Sequence, residues 1–311
     1  MKKIKSLFCI GLLLTVATTV NAQSVTWISS TEGNVWQKSK VKLQSKSEQN
    51  PVLQVDGTEN GVVFKNWGTT FNELCWDALG LLTRTEQDEI LYNIFSPQGD
   101  LRITRGRISM GANDYARSWY SCDEVEGDFE LRYFNINRDK QTIIPFIRAR
   151  QKYNPNLTFW ISPWCPPSWM KINGDYPVLS SPFNSLSEKQ NYLLYGATGG
   201  QVDENEMKLT DARDGVFPRQ LATTDFMIQD PRYLQTYADY FCRFIDAYKE
   251  QGIPIDMVMY QNEAYSYTPY PGCAWTAAGT IRFNKEYLAP TLKQMHPEVK
   301  LYLGTFNTNS C

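Results

Sequence analysis

Apolar and polar positions along this 311-residue chain change their period near residue 62. Before that point, short alternating runs stand between Gly, Asn and Ser: Val25-Thr26-Trp27-Ile28, Val41-Lys42-Leu43-Gln44 and Val52-Leu53-Gln54-Val55. Period-two alternation with this punctuation predicts antiparallel strands and not a βα repeat. Three short strands bury little by themselves. Residues 23–61 therefore read as the opening strands of a side β-sandwich domain completed by a distant segment.

From residue 62 onward the pattern alternates buried-strand runs with helical stripes. Strands are predicted at Val62–Gly68, Leu101–Ile108, Leu157–Ser162, Ile255–Met259 and Val299–Leu303. Between them, Thr83-Arg84-Thr85-Glu86 is a capping box that opens a helix, and a second helix runs from about Thr142 to Tyr153. Asp230-Pro231 starts the strongest helix, with Tyr237, Phe241, Phe244, Ile245 and Tyr248 on one stripe and Gly252 after its end. A fourth helix covers about Thr276 to Gln294. Five strands with four intervening helices suit right-handed βαβ crossovers. The expected architecture of 62–311 is an incomplete (β/α)8 TIM barrel of about five βα units. The long polar connection from Ile172 to Gln229 reads as a decorated loop over the cleft. Its glycines, Gly196 to Gly200, follow no strand, which argues against a phosphate cradle.

In such a barrel the carboxyl ends of the strands carry the chemistry. The run Ile255-Asp256-Met257-Val258-Met259-Tyr260-Gln261-Asn262-Glu263 is an apolar strand ending in an amide and a carboxylate, so Asn262 and Glu263 fall where reactions are done. The formal charge of −2 gives no basic surface for nucleic acid. A 14% aromatic content, concentrated around the strand-end loops, suits the apolar faces of sugar rings. The one histidine, His296, sits at a helix end and reads as a surface or capping residue. With no Gly-x-Ser-x-Gly elbow either, a serine triad is excluded, and carboxylates remain as acids, bases and nucleophiles. The cysteines show no metal-ligand spacing, so neither metal nor cofactor is expected. At the start, Met1-Lys2-Lys3-Ile4-Lys5, an apolar run to Val20 and a small residue at Ala22 form a secretory signal over 1–22. The expected location is secreted or periplasmic, with no membrane span.

Four stretches carry a family resemblance: Trp67-Gly68-Thr69-Thr70-Phe71-Asn72-Glu73, Arg107 to Tyr115, Ser162-Pro163-Trp164-Cys165-Pro166-Pro167-Ser168-Trp169-Met170-Lys171, and Gln261-Asn262-Glu263. In this order, each at a strand end, they resemble glycoside hydrolase family 30, the glucocerebrosidase-like retaining β-glycosidases. The resemblance implies that Glu263 is the general acid/base and that Asn262 holds the sugar 2-hydroxyl or positions the nucleophile. It makes Trp164 the sugar platform and Asp114 a substrate-binding carboxylate. Glu73 stands where the family has an Asp that grips sugar hydroxyls, and Ala264 replaces a common Pro.

Cleaving an acetal with retention needs a proton donor and a second carboxylate about 5–5.5 Å away. The family's nucleophile is a Glu on the seventh strand, expected beyond Cys311, so the chain reads as C-terminally truncated and inactive by itself. The expected function is a β-glycosidase acting on β-linked glucan or glucoside. The alternative is a non-catalytic glycan-binding protein on the same scaffold. Either way the partner is a carbohydrate.

Overall fold

The computed structural model describes residues 24–42, 66–196 and 222–304. The signal over 1–22, the strand expected at Val52–Val55, the start of the one expected at 62–68 and most of the glycine cluster lie outside them. The chain divides into two compact units, Met1–Val63 and Phe64–Cys311. In the first, β1 (Ser24–Thr31) and β2 (Asn34–Lys42) form an antiparallel hairpin turned by Gly33 at φ +79°.

In the second unit, β3 (Gly68–Phe71), β4 (Arg105–Ser109), β5 (Thr158–Ser162), β6 (Ile255–Met259) and β7 (Lys300–Tyr302) form one parallel sheet in the order β3-β4-β5-β6-β7. Strictly sequential order means every crossover steps the same way. With right-handed connections, all helices then fall on one face and the sheet curls as a barrel wall. A doubly wound sheet would reverse direction at a switch point, and this one has none.

Register separates the two faces. Phe71, Ile108, Ile161, Val258 and Leu301 are paired across the five strands, and Phe71 packs on Phe95 and Phe146 of the helix layer. The neighbouring row, Thr70, Arg107, Trp160, Met257 and Lys300, therefore points to the barrel interior. Gly106 lies on the helix side, where a Cβ would stand 2.7 Å from Phe71 Cε2 and 2.8 Å from Phe159 Cε1. Gly106→Ala overpacks this contact and is expected to cost about 1–3 kcal/mol in chemical denaturation. An unchanged denaturation midpoint would show that the two rings yield freely.

The helices are α1 (Glu73–Gly80), α2 (Arg84–Phe95), α3 (Ile143–Gln151), α4 (Pro231–Glu250), α5 (Ala277–Arg282) and α6 (Ala289–Met295). Thr83 and Glu86 close the capping box expected for α2. Asp230 caps α4, whose aromatic stripe is fully buried. Three details depart from the sequence reading. The second barrel strand starts at Arg105, because Arg102 takes φ +52° and the 101–103 segment is bonded to the end of α2. The helix expected over Thr276–Gln294 contains a π segment, Phe283–Leu288. Pro290 follows it after one residue, and a widened turn relieves the clash that proline makes with the carbonyl four residues back, that of Glu286. His296 is the C-cap of α6, the capping half of its sequence reading, but it is not at the surface: it is 4% exposed, with Nε2 3.5 Å from Asp246 Oδ1 and Nδ1 3.9 Å from Glu298 Oε1.

Candidate active site

The loops after β5 and β6 are fastened together before either presents a functional group. Asn262 N donates to Pro163 O (2.8 Å), and Gln261 Nε2 donates to Trp164 O (2.7 Å). Gln261 Oε1 in turn accepts from Trp275 Nε1 (3.2 Å). One buried amide thus spends both ends on framework, and the segments carrying Trp164 and Glu263 keep a fixed spacing.

Arg107, the middle residue of β4 and facing the interior, is the hub. Its Nε and Nη2 donate to Ser162 Oγ (2.9 and 2.7 Å), and Nη2 donates to Asn262 Oδ1 (2.5 Å). The guanidinium lies 4.1 Å from the Trp164 ring centroid and 4.8 Å from that of Trp160. Burial pushes its pKa down to about 10, while the charges of Glu263 and Asp114 push it back up. It therefore remains a cation at neutral pH. Since guanidinium has only donors, Asn262 must turn Oδ1 toward it, which aims the Nδ2 donors the other way.

Glu263 is half-buried and shares one small hollow with Trp164, Asn262, Tyr270 and Gly272. Asp114, on the loop after β4, is exposed as a residue, yet its carboxyl is ringed closely enough that desolvation is the largest influence on it. Desolvation and the Glu263 charge raise its pKa, against the Trp164 N–H and Arg107, which lower it. The Tyr270 phenol is likewise raised, by burial first and then by Asp114 and Glu263. Trp164 is 7% exposed and lines the hollow, whereas Trp169 packs against Phe129 and Tyr233 in the core. Four of the five residues expected from the sequence, Asp114, Trp164, Asn262 and Glu263, are therefore neighbours.

Glu73 stands apart from that hollow. It opens α1 behind the Asn72 cap and is 0% exposed. Arg138 donates to both its oxygens (Nε to Oε1, 2.8 Å; Nη2 to Oε2, 2.6 Å), and Arg117 N donates to Oε2 (2.8 Å). Burial pushes the Glu73 carboxyl up, but Arg138 and the Arg117 N–H outweigh it and leave the pKa below the ordinary value.

The sequence reading passes over Ser162 and Gln261. Arg107 donates directly to Ser162 and Asn262, and the charges of Glu263 and Asp114 favour its protonated form. A hydroxyl ending one strand beside an inward arginine on the next was the available signal. Among the described residues no group of three or more His, Cys, Asp or Glu is arranged to hold a metal ion. Cys75, Cys122, Cys165, Cys242 and Cys273 are free thiols. No described helix is long and apolar enough to cross a membrane.

Residues 64–181 match the glycosyl hydrolase family 30 TIM-barrel domain. A putative glucosylceramidase 3 of Caenorhabditis elegans is 29% identical over 268 residues, covering 83% of this chain and 42% of the relative. An endo-1,6-β-D-glucanase of Aspergillus fumigatus is 24% identical over 269 residues, covering 85% and 48%. SrfJ from Salmonella typhimurium shares the fold with a TM-score of 0.60 at 17% identity, covering 86% of this chain and 50% of that one. The chain spans less than half the length of the curated relatives it matches.

Proposed function

We propose that this chain belongs to glycosyl hydrolase family 30, whose barrel domain matches residues 64–181, and that the protein carrying it is a secreted, retaining β-glycosidase that cuts β-linked glucan or glucoside. The observation that carries this reading is the Arg107 hub, which holds Trp164 and Asn262 around a cleft where the charge of Glu263 bears on Asp114. The names of the two curated relatives both specify a glucosyl group.

In this mechanism Glu263 protonates the glycosidic oxygen, and a second carboxylate about 5–5.5 Å away takes the anomeric carbon. That nucleophile is supplied by residues outside those described. Asn262, turned by Arg107, donates to the sugar 2-hydroxyl, a contact that strengthens as the ring approaches its oxocarbenium form. Trp164 offers an apolar face to the ring, and Asp114 accepts from its hydroxyls. Glu73, fully buried and bonded to Arg138 and the Arg117 N–H, holds the first loop in place.

The test is hydrolysis of an aryl β-glucoside by the full-length protein, followed by proton NMR. The expected first product is the β-anomer. The α-anomer appearing first would remove the retaining mechanism, and saturable sugar binding with no turnover would replace it with the glycan-binding alternative.

A further inference from the structure

Behind the cleft wall sits a lysine that the reaction above does not use. Lys171 follows the short 3-10 turn Ser168–Met170 and is 2% exposed. Its ammonium donates to the carbonyl oxygens of Tyr176 (2.7 Å), Pro177 (2.9 Å) and Gly272 (2.9 Å). An ammonium has three N–H donors and no acceptor, so these three carbonyls fill it. Taking a cation out of water is unfavourable, and an apolar side chain of similar length would fill the space without that penalty. The three donors are therefore what the position supplies. Each carbonyl carries partial negative charge, and three of them converging on one point repel each other unless a cation sits between them.

The carbonyls belong to two different loops. Tyr176 and Pro177 follow β5, whereas Gly272 follows β6. The same two segments meet along a seam of backbone bonds: Gly272 N to Tyr176 O (3.1 Å), and Val178 N and Leu179 N to Thr268 O (2.9 Å each). Pro177 pairs with Pro271, and Asn184 Nδ2 reaches Pro269 O (3.0 Å). On its other side the seam becomes the cleft. Thr268, Tyr270, Pro271 and Gly272 line the hollow that holds Trp164 and Glu263. Lys171 is itself anchored from behind, by its bridge to Met227 and by Ile172 N donating to Phe226 O (2.9 Å).

We propose that Lys171 is a positioning residue. By gathering carbonyls from both loops it fixes the Thr268–Gly272 wall at the distance from Trp164 and Glu263 that admits a sugar ring. It does not touch the sugar. The identity of the ligand rests on the glycosidase reading, whereas the clamp does not.

The test uses the full-length protein and Lys171→Met, which keeps the length of the side chain and removes its donors. In hydrogen exchange, the amides of Gly272, Val178 and Leu179 are expected to exchange about tenfold faster or more, with those of β4 and β5 unchanged. With a β-glucoside, KM is expected to rise about tenfold while kcat stays within about threefold, because ring placement is loosened and the acid is untouched. The limbs of the pH profile stay where they are. A variant with a lower melting temperature but wild-type seam protection and KM would make Lys171 merely structural and overturn the proposal.

Gly272→Ala provides an independent arm. Its Cβ would stand 2.7 Å from Thr268 Oγ1, displacing the same wall without touching the lysine, and the same KM rise is expected. Should Lys171→Met not fold, wild-type KM in Gly272→Ala overturns the proposal. Absence of turnover in the wild type counts against the glycosidase reading alone, and the exchange rates of the Lys171 and Gly272 variants still decide the clamp.

Discussion

Replacing Glu263 by Gln in the full-length protein is expected to cut turnover of alkyl or glycosyl β-glucosides by about 10²–10⁴-fold, the usual worth of a positioned proton donor. An aryl glucoside with an acidic phenol should react at close to the wild-type rate in the first, glycosylating step, since its leaving oxygen departs without a proton. The split between substrates separates an acid from a residue that merely binds. The substitution also removes a charge that raises the titration of Asp114. Asp114 should then titrate lower than in the wild type, although desolvation continues to hold it up. Carbon-13 NMR of the aspartate carboxyls reads this directly. Equal losses on both substrate types would assign Glu263 to binding.

The second large effect is on stability. Glu73→Gln leaves Arg138 beside a buried site without its counter-charge, and breaking a buried pair of this kind costs about 3–5 kcal/mol. The side chain of Glu73 is 1% exposed and that of Arg138 is 28% exposed, so little solvent screening softens the loss on the carboxylate side. The pH dependence has a definite sign. Because the folded-state pKa of Glu73 is lowered, its contribution is present above its unfolded pKa and is lost as pH falls through the folded value. Denaturation at neutral pH should therefore show the full difference between wild type and variant, and the two should converge under acid. A difference that persisted in acid would assign the effect to packing in place of charge.

The hydrophobic pattern made much of the barrel legible because the helix-facing row, Phe71, Ile108, Ile161 and Val258, is apolar on every strand. Boundaries were less visible. The described first barrel strand, Gly68–Phe71, has only Phe71 buried, so the apolar run before it, Val62-Val63-Phe64, drew the prediction forward. The helix Glu73–Gly80 was missed because it is two turns long, although Asn72 carries the N-cap that starts it, accepting from Cys75 N.

At the site, strand-end position points to Asn262 and Glu263 and motif likeness to Trp164 and Asp114, and the fold brings these four together. What the chain could not show by spacing is which polar groups spend themselves on each other. Gln261 and Asn262 are adjacent amides, yet one is consumed by Trp164 and Trp275 and the other is aimed by Arg107. Glu73 shares a motif with the cleft residues, yet Arg138, 65 residues further along the chain, takes both its oxygens. Such pairings are set by three-dimensional neighbours that no periodicity encodes.

The most direct measurement is a crystal structure of the full-length protein with a non-hydrolysable β-glucoside bound. The account predicts the glycosidic heteroatom within about 3 Å of a Glu263 carboxyl oxygen, the ring against Trp164, and the 2-hydroxyl on Asn262 Nδ2. A sugar seated elsewhere, with Glu263 pointing away from the anomeric centre, would contradict it.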